Sequence, residues 1–285
     1  SQIINILDEY FEFDSELHES LVNMRNLITS KSDLVKYSKE LRELELKLTL
    51  FHSSVTNQML SRYNKRVDLI GFHGQTIFHN PINKISKQLG DGKLLSQLSK
   101  KTVIYDFRKN DLENGGQGAP LTPIFHKLIS NDINKTLKDT YSIINIGGIT
   151  NITIITNDGN SLKQKIEAYD IGPGNCLIDE WIRKNSKKKY DKDGSIARSG
   201  IVDELVLNQA LENFSEDSNY QKSLDIKDYD MFFAKGLSLE NGAATISSFT
   251  AKLIANGMSY SHGKYSSGKY KWLVCGGGRK NKYLL

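Results

Sequence analysis

Apolar and polar positions between Ser32 and Tyr63 repeat with the period of an α-helix. The apolar positions at this spacing are Leu34, Tyr37, Leu41, Leu44, Leu48, Phe51, Val55 and Met59. Such a stripe faces the core when a helix packs against its neighbours, so the segment predicts one or two helices. Ser32 or Asp33 is a candidate N-cap, because short polar side chains accept hydrogen bonds from the first helical turn. We interpret the stripe as core rather than as a cofactor site.

Short apolar runs rich in β-branched residues then alternate with further helical segments. The predicted strands are Val67–Phe72, Thr102–Tyr105, Ser161–Tyr169 and Lys271–Cys275, together with a hairpin over Ile143–Ile155 that turns at Gly147 and Gly148. The predicted helices are Thr122–Ile129 and Ala243–Ala255, and a tight turn is predicted at Asn157–Asn160. Strands that alternate with helices indicate an α/β fold.

The composition is ordinary for a globular protein and argues against several classes of function. A chain of 285 residues with 38% hydrophobic and 25% charged residues is long enough for two lobes. The net charge is only +5, and the basic run Lys187–Lys189 lacks interleaved aromatic residues, so nucleic acid is not an expected partner. Cys176 and Cys275 are too few for a disulfide framework and predict structural thiols. No apolar run has the length of a membrane span, so no membrane partner is expected.

The segment from Ala168 to Trp181 offers the most specific candidate chemistry. Asp170 follows a predicted short strand that ends at Tyr169, and it precedes a Gly-Pro-Gly-Asn sequence and an apolar-periodic helix. Two glycines and a proline favour a tight turn, which would leave backbone N–H groups uncommitted at the helix N-terminus. Anions and polar sugars bind at such places. The alternative interpretation is that Asp170 caps the helix or the turn.

Further glycine-centred segments lie at the ends of other predicted strands. They are His73-Gly74-Gln75-Thr76, the loop Asn114–Leu121, the pair Gly147-Gly148 and the triplet Gly276-Gly277-Gly278. Glycine at a strand exit allows a ligand to approach the backbone closely. Taken together, the segments predict a cleft that binds phosphate and sugar groups. Taken singly, a Gly-Gly pair between two β-branched runs is more typical of a plain hairpin turn.

The order of these motifs resembles that of the anhydro-N-acetylmuramic acid kinase family. The motifs that carry the resemblance are His73–Thr76, Asp106–Arg108, Gly115–Leu121, Asn145–Asn151, Asp170–Asn175, Tyr190–Gly194 and Cys275–Gly278. The resemblance runs from about Val67 to the last residue. It implies the actin, Hsp70 and sugar-kinase superfold, in which two ribonuclease-H-like lobes close on ATP around a nucleotide cleft. The first lobe would span residues 1–140 and the second residues 141–285.

The family's first phosphate loop, Gly-Thr-Ser-x-Asp-Gly-x-Asp, has no match in Ser1–Asn64. The chain also stops a few residues after Gly278. We therefore expect an internal fragment of a longer enzyme, with an incomplete first lobe. A non-catalytic sugar-binding remnant, another sugar kinase of the superfold and a pure glycoside hydrolase are the alternatives to an active kinase of this family.

The resemblance implies that water opens the 1,6-anhydro bridge of the sugar while the freed O6 takes the γ-phosphoryl group of ATP. Asp170 would act as the general base that activates this water. The residues expected to hold the sugar are Thr76, Arg108 and His73. The planar guanidinium of Arg108 suits the lactyl carboxylate, because it can bind both oxygens at once. The alternative for Arg108 is an ion pair with Asp106 or Asp111.

The same resemblance assigns the nucleotide side of the cleft. Main-chain N–H groups of Gly147 and Gly148 would meet the phosphates, and Gly276, Gly277 and Gly278 would pass under the adenosine or ribose. ATP and Mg²⁺ are the expected cofactors, and no residue is assigned to the metal. A small-molecule sugar, 1,6-anhydro-N-acetylmuramate, is the expected partner. A cytoplasmic homodimer that recycles murein sugars is implied as well.

Some polar residues predict structure rather than chemistry. His79 and His126 lie near apolar runs, where lone histidines are usually core or boundary residues. Asp191 and Asp193 resemble half of a calcium loop, but no glutamate closes the run at the required distance. We therefore expect a surface turn there.

Overall fold

The computed structural model describes residues 6–63, 65–133, 140–157, 164–215, 220, 224, 226–265 and 270–285. Residues 158–160 of the predicted turn and 161–163 of the next predicted strand lie outside these ranges. The chain is a mixed α/β protein. It divides into two compact units, which we call the N-terminal unit, Ile4–Leu121, and the C-terminal unit, Thr122–Leu285.

The described part of the N-terminal unit contains helices and two small sheets. The helices are α1 (Ser15–Leu27), α2 (Lys31–Lys36), α3 (Ser38–Arg62), α4 (Gly92–Ser99) and α5 (Phe107–Glu113). The strands are β1 (Leu69–Gly71), β2 (Gln75–Asn80), β3 (Ile85–Leu89) and β4 (Thr102–Ile104). β1 pairs with β4 in parallel, and β2 pairs with β3 antiparallel. The predicted strands at β1 and β4 are confirmed, but both are shorter than the sequence pattern indicates.

The first two helices begin at side-chain caps. Asp14 precedes α1, which the pattern did not predict, and accepts a hydrogen bond from the N–H of Leu17 at 2.8 Å. The predicted helical segment is confirmed as α2 and α3, but its N-cap is Ser30 rather than Ser32 or Asp33. Asp33 instead closes a capping box, because its carboxylate accepts a hydrogen bond from the N–H of Ser30 at 2.9 Å.

The apolar stripe of α3 packs in the core of the N-terminal unit, as predicted. Its buried members share this core with α1 and the hairpin; the buried residues include Leu17, Leu21, Leu41, Leu44, Leu48, Ile77 and Leu89. Polar residues of α3 hold the turn between β3 and α4. Glu45 accepts a hydrogen bond from the N–H of Gly90 at 3.2 Å, and Thr49 accepts one from the N–H of Asp91 at 2.9 Å.

The hairpin of β2 and β3 was not predicted, and it contains a β-bulge at Ile77. Thr76 lies opposite Gln88 and Phe78 lies opposite Lys87, so Ile77 is an extra residue in β2. Ile77 is buried in the helical core, and Phe78 packs against the same core. The bulge thus lets two consecutive apolar residues contact the same helical core.

The C-terminal unit is built on a four-stranded sheet. Its described helices are α6 (Pro123–Ile133), α7 (Asn175–Asn185), α8 (Ser195–Ser199), α9 (Glu204–Ser215) and α10 (Leu239–Tyr265). Its strands are β5 (Thr140–Ile146), β6 (Ile149–Asn157), β7 (Gln164–Pro173) and β8 (Tyr270–Cys275). Short 3₁₀ turns lie at Lys192–Gly194, Ile226–Asp228, Phe232–Ala234 and Gly277–Lys280. The strand order is β7-β6-β5-β8, and β5 and β8 run parallel while the other pairs are antiparallel.

Helix α10 packs against one face of this sheet. The buried isoleucines in this layer are Ile144, Ile146, Ile152, Ile154, Ile171 and Ile254. Gly257 allows the close approach, because a Cβ there would lie 2.8 Å from the Cβ of Ile171. The predicted hairpin over β5 and β6 is confirmed, and so are the predicted helices at α6 and α10, which are longer than expected.

Asp191 does not lie in a surface turn. Its side chain is 4% exposed and accepts hydrogen bonds from the N–H groups of Ile196 at 2.8 Å and Ala197 at 2.9 Å. The prediction was wrong for Asp191 because the 3₁₀ turn that follows it folds the carboxylate inward to cap α8, whereas Asp193 is exposed. Among the helices in the described ranges, none has the combination of length and apolar character that crossing a membrane requires.

Candidate active site

Arg108 and His73 are in contact in the N-terminal unit. Nε of Arg108 donates a hydrogen bond to Nε2 of His73 at 3.0 Å, and Nη1 donates to the carbonyl oxygen of Gly118 at 2.7 Å. Nδ1 of His73 lies 2.9 Å from the carbonyl oxygen of Gly74, which can only accept, so the ring is the neutral tautomer protonated on Nδ1. Burial lowers the pKa of Arg108, but a guanidinium keeps its charge in proteins. The guanidinium is therefore held in one orientation by two acceptors.

The glycine-rich loop after α5 is fastened to Asp111. The N–H of Gly118 donates to Oδ2 of Asp111 at 2.7 Å, and the N–H of Gly116 donates to the carbonyl oxygen of Asp111 at 2.8 Å. In the part of the chain that the structure describes, Arg108 forms no ion pair with Asp111 or Asp106. The ion-pair interpretation of Arg108 is therefore wrong. The carboxylate of Asp111 accepts the N–H of Gly118, and the guanidinium of Arg108 donates to His73 and to the carbonyl oxygen of Gly118.

A chain of side-chain hydrogen bonds runs along one face of the β2–β3 hairpin. Nε2 of Gln88 donates to Oγ1 of Thr76 at 3.2 Å and to Oγ of Ser86 at 2.8 Å, and that Oγ lies 3.0 Å from Nδ1 of His79. The bulge places Thr76 and His79 on this face although they are three residues apart. A Cβ on Gly118 would lie 3.1 Å from Cε1 of His79. This chain, which we call the hairpin ladder, thus connects Thr76 with the glycine-rich loop.

β7 continues through Asp170 to Pro173, so the tight turn predicted after Tyr169 is wrong. β7 is an edge strand of the sheet, and an edge strand tolerates proline because it needs no N–H for a further neighbour. Ile171 is an extra residue, since Asp170 and Gly172 are paired with consecutive residues of β6. This is a second β-bulge, and it lies next to Asp170, the predicted general base.

The first N–H groups of α7 are already bonded within the unit. The N–H groups of Gly174 and Cys176 donate to the carbonyl oxygen of Gly148 at 2.8 and 3.3 Å, and the N–H of Asn175 donates to that of Gly147 at 2.7 Å. The prediction of uncommitted N–H groups at this helix end is therefore wrong for Gly174, Asn175 and Cys176. Gly174 is required for the contact, because a Cβ there would clash with the carbonyl oxygen of Gly147.

The two glycine segments predicted to bind nucleotide lie close together. Gly147 is half-buried and Gly148 is exposed at the turn between β5 and β6. The chain leaves β8 through Gly276, Gly277 and Gly278. Gly276 has φ 81°, and a Cβ there would clash with the carbonyl oxygen of Ile146, while a Cβ on Gly278 would clash with the side chain of Ile146. Ile146, the last residue of β5 before the Gly147–Gly148 turn, thus packs against Gly276 and Gly278.

Asp170 is half-buried on β7, opposite Asn151 of β6. Its Oδ2 accepts a hydrogen bond from the N–H of Leu224 at 2.9 Å. Asp170 does not cap helix α7, because the N-cap of that helix is Gly174. Burial, and then the charge of Asp228, raises the pKa of Tyr229, and the carboxylate of Asp170 adds to this rise. Asp170 is therefore an oriented carboxylate with a phenol in its electrostatic surroundings.

The chain matches a protein family described as anhydro-N-acetylmuramic acid kinase over residues 1–285. It belongs to this kinase family. The anhydro-N-acetylmuramic acid kinase of Pelagibacter ubique (strain HTCC1062) is 48% identical over 281 residues, which cover 98% of this chain and 74% of that protein. The kinase of the same name from Agrobacterium fabrum (strain C58) is 36% identical over 97% of this chain and 72% of its own. The kinase of the same name from Rhizobium etli (strain CFN 42) is 35% identical over 96% of this chain and 72% of its own.

The two units of this kinase-family chain carry different predicted site residues. Thr76, His73 and Arg108 lie in the N-terminal unit, and Asp170 with the predicted nucleotide glycines lies in the C-terminal unit. Arg108 and His73 contact each other directly, and the hairpin ladder connects Thr76 with the glycine-rich loop. The roles of these residues stay predictions.

Sequence reasoning missed three polar residues that border the predicted site. Ser86 and Gln88 belong to the hairpin ladder, and their spacing of two residues on a strand is a signal that could have placed them on one face. Asn151 lies opposite Asp170, but only the pairing of β6 with β7 reveals this. His79, expected to be structural, belongs to the ladder.

The remaining candidate ligands are two cysteines and a histidine whose pKa values are shifted by burial. Within the described ranges, no three His, Cys, Asp or Glu side chains converge as a metal site would require. Cys176 is buried, and burial raises the pKa of its thiol to about 11, while burial also raises the pKa of the half-buried Cys275. His126 is buried with Nδ1 2.8 Å from Oγ1 of Thr153, and burial lowers its pKa. The prediction that His126 is a core or boundary residue is confirmed.

Proposed function

We propose that the protein opens the 1,6-anhydro ring of anhydro-N-acetylmuramic acid and transfers the γ-phosphoryl group of ATP to O6. The products would be N-acetylmuramate 6-phosphate and ADP, in the recycling of murein sugars. The match of the chain to the kinase family over residues 1–285 carries this proposal. Membership of a kinase family implies ATP as the phosphoryl donor and a small sugar as the acceptor.

Asp170 is proposed as the general base that takes a proton from the attacking water. Water then adds to C1, the bond from C1 to O6 breaks, and O6 attacks the γ-phosphorus as ADP leaves. A glycosidase needs a second carboxylic acid to protonate the leaving oxygen. Here the phosphoryl group takes that oxygen, so one carboxylate is enough. The hydrogen bond from Leu224 supports the role, because it fixes the direction of the Asp170 carboxylate.

Arg108 is proposed to bind the lactyl carboxylate of the sugar, with His73 and Thr76 beside it. The support is the geometry of the guanidinium, which two acceptors hold in one plane. A planar guanidinium in a fixed orientation can place two parallel hydrogen bonds on one carboxylate.

The turn at Gly147 and Gly148 is proposed to meet the phosphates, and the triple glycine to pass under the adenosine. The exposed main chain of Gly148 supports the phosphate assignment, whereas the N–H of Gly147 already donates to the carbonyl oxygen of Ile149 at 3.2 Å. Mg²⁺ is proposed to arrive with ATP. Since no ready-made metal cluster lies among the described residues, we assign it no protein ligand and no step. The sugar-kinase superfold, the homodimer and the cytoplasmic location stay predictions.

The substitution Asp170→Asn tests the proposed chemistry. Loss of the base should lower turnover by about 10²- to 10⁴-fold, while sugar affinity measured by calorimetry changes by only a few-fold. Coupled detection of ADP and of opened sugar distinguishes the kinase from a hydrolase, which would open the sugar without releasing ADP. Retained turnover in Asp170→Asn would remove Asp170 from the role.

A further inference from the structure

A row of polar side chains crosses the sheet of the C-terminal unit. The strand registers place Asp170 of β7 opposite Asn151 of β6, Asn151 opposite Asn145 of β5, and Asn145 opposite Cys275 of β8. Directly opposed residues point to the same face of a sheet. The four residues therefore share the face that does not carry the buried isoleucines under α10. Asp170 lies at one end of this row.

The members of the row differ in how their polar atoms are satisfied. Oδ1 of Asn145 lies 3.7 Å from Sγ of Cys275, and Oδ2 of Asp170 accepts the hydrogen bond from Leu224. Oδ1 of Asn151 is buried and has no hydrogen-bond partner among the described residues. Leaving a buried acceptor unpaired destabilises the folded state. An ionised carboxylate cannot relieve it, because it has no proton to donate.

We propose that Asn151 is a catalytic residue that accepts a hydrogen bond from the nucleophilic water. This inference rests on the proposed function, in which Asp170 activates that water. A water molecule has two O–H groups, and a single base takes one of them. Asn151 would accept the other, so that the oxygen lone pair points at C1. As the proton passes to Asp170, the bond from oxygen to C1 forms and the bond from C1 to O6 breaks, and O6 is phosphorylated as ADP leaves.

Two substitutions at Asn151 test this role. Asn151→Ala removes the acceptor and should lower kcat by up to about 100-fold, the usual cost of a misplaced reactant, with the KM for sugar within about 3-fold. Asn151→Asp keeps the shape but sets a second carboxylate opposite Asp170. Because like charges oppose ionisation, the acid limb of the kcat/KM profile should move up by about one pH unit or more.

Asn208→Asp is the matched control, since it adds the same charge on an exposed position of α9. Its pH profile should coincide with that of the unaltered protein. Among the described residues, the titratable groups near Asp170 and Asn151 include Cys275 in the same row, Tyr229, which senses the charge of Asp170, and His126, which is bonded to Thr153 further along β6. These residues are unaltered in every variant.

The outcomes separate this inference from the proposed function. An Asn151→Ala protein that raises only the KM for sugar would show that Asn151 contacts the sugar instead of water, and would overturn the assignment. If Asn151→Ala does not fold, as judged by thermal unfolding, the near-isosteric Asn151→Asp decides, and an unshifted acid limb overturns it. If Asp170→Asn is inactive while Asn151→Asp behaves like Asn208→Asp, only the role of Asn151 fails. Turnover by Asp170→Asn would instead mean that the proposed base is wrong.

Discussion

Two strands, one in each unit, contain an extra residue beside the predicted site: Ile77 in β2 and Ile171 in β7. In β2 the bulge brings side chains together, because Thr76 and His79 then belong to one hydrogen-bonded ladder. In β7 the bulge is followed by close main-chain contacts between Gly174 and the β5–β6 turn. The same device thus supports a network of side chains in one unit and a network of backbone groups in the other. Substitutions should therefore act differently in the two units.

The largest effect is expected from a side chain placed in the backbone network. Gly276→Ala puts a Cβ against the carbonyl oxygen of Ile146 at a φ of 81°. Strain at such a φ and overpacking each cost about 1 to 3 kcal/mol. The free energy of unfolding, measured by denaturant titration, should therefore fall by about 2 to 6 kcal/mol.

Gly263→Ala is the control for that substitution. Gly263 lies on an exposed part of α10, and a Cβ there meets nothing within 4 Å. Alanine is the better helix former, so this variant should gain up to about 1 kcal/mol. Equal stability of the two alanine variants would contradict the idea that the triple glycine exists to permit close packing.

An intermediate effect is expected from the opposite pH responses of two carboxylates. Burial raises the pKa of Asp179 in α7 to about 6, with nearby Arg183 opposing the shift and Asp191 adding to it. The folded state therefore holds this proton more tightly, and stability is lost as pH rises from about 4 to about 6. After a discount for its partial exposure, Asp179→Asn should gain about 1 to 2 kcal/mol relative to the unaltered protein between pH 4 and pH 7.5.

Asp33→Asn in the N-terminal unit should show the reverse dependence. Hydrogen bonds from Ser30 and Thr29 lower the pKa of Asp33 to about 2. Its contribution is therefore complete above pH 3.8 and is lost as pH falls toward 2. Thermal unfolding of both variants across this range gives the comparison. The same sign of pH dependence in both would contradict it.

The smallest effect is expected in the hairpin ladder, where each hydrogen bond contributes modestly. Gln88→Leu and Thr76→Val each remove one partner of the 3.2 Å bond between them. A double-mutant cycle should give a coupling of about 1 kcal/mol in the free energy of unfolding. The pair Gln58→Leu and Thr76→Val should be additive, because Gln58 is exposed on α3. A coupling of zero in the first cycle would remove the ladder as a connected network.

The parts of the fold that sequence patterns predicted are those set by local spacing. The stripe of α3 and the hairpin of β5 and β6 follow from periods of 3.6 and 2 residues. The sequence pattern does not predict the hairpin of β2 and β3, because the bulge at Ile77 interrupts the alternation of apolar and polar residues. The sequence pattern ends β7 too early because Gly172, Pro173 and Gly174 together favour a tight turn, although the last position of an edge strand tolerates proline.

The residues of the candidate site also differ in whether the local sequence predicts them. Glycines at strand exits could be recognised in the sequence because the requirement for glycine is local. The ladder partners of Thr76 and the neighbour of Asp170 could not, since Gln88 and Asn151 approach them only when strands pair. The local sequence also predicts N–H groups without partners at the start of α7. Their partners are carbonyl oxygens of the β5–β6 turn, and this tertiary contact is not visible in the local sequence.

The parallel pairing of β5 with β8 has a consequence for the protein during its synthesis. β5 is almost entirely buried and is rich in isoleucine, yet one of its two neighbours is the last strand described, Tyr270–Cys275. Until the ribosome has released that segment, β5 remains an unprotected sheet edge, which can pair with another nascent chain. Most of the C-terminal unit is therefore synthesised while β5 lacks this neighbour, and the demand for chaperones should be greatest over this interval.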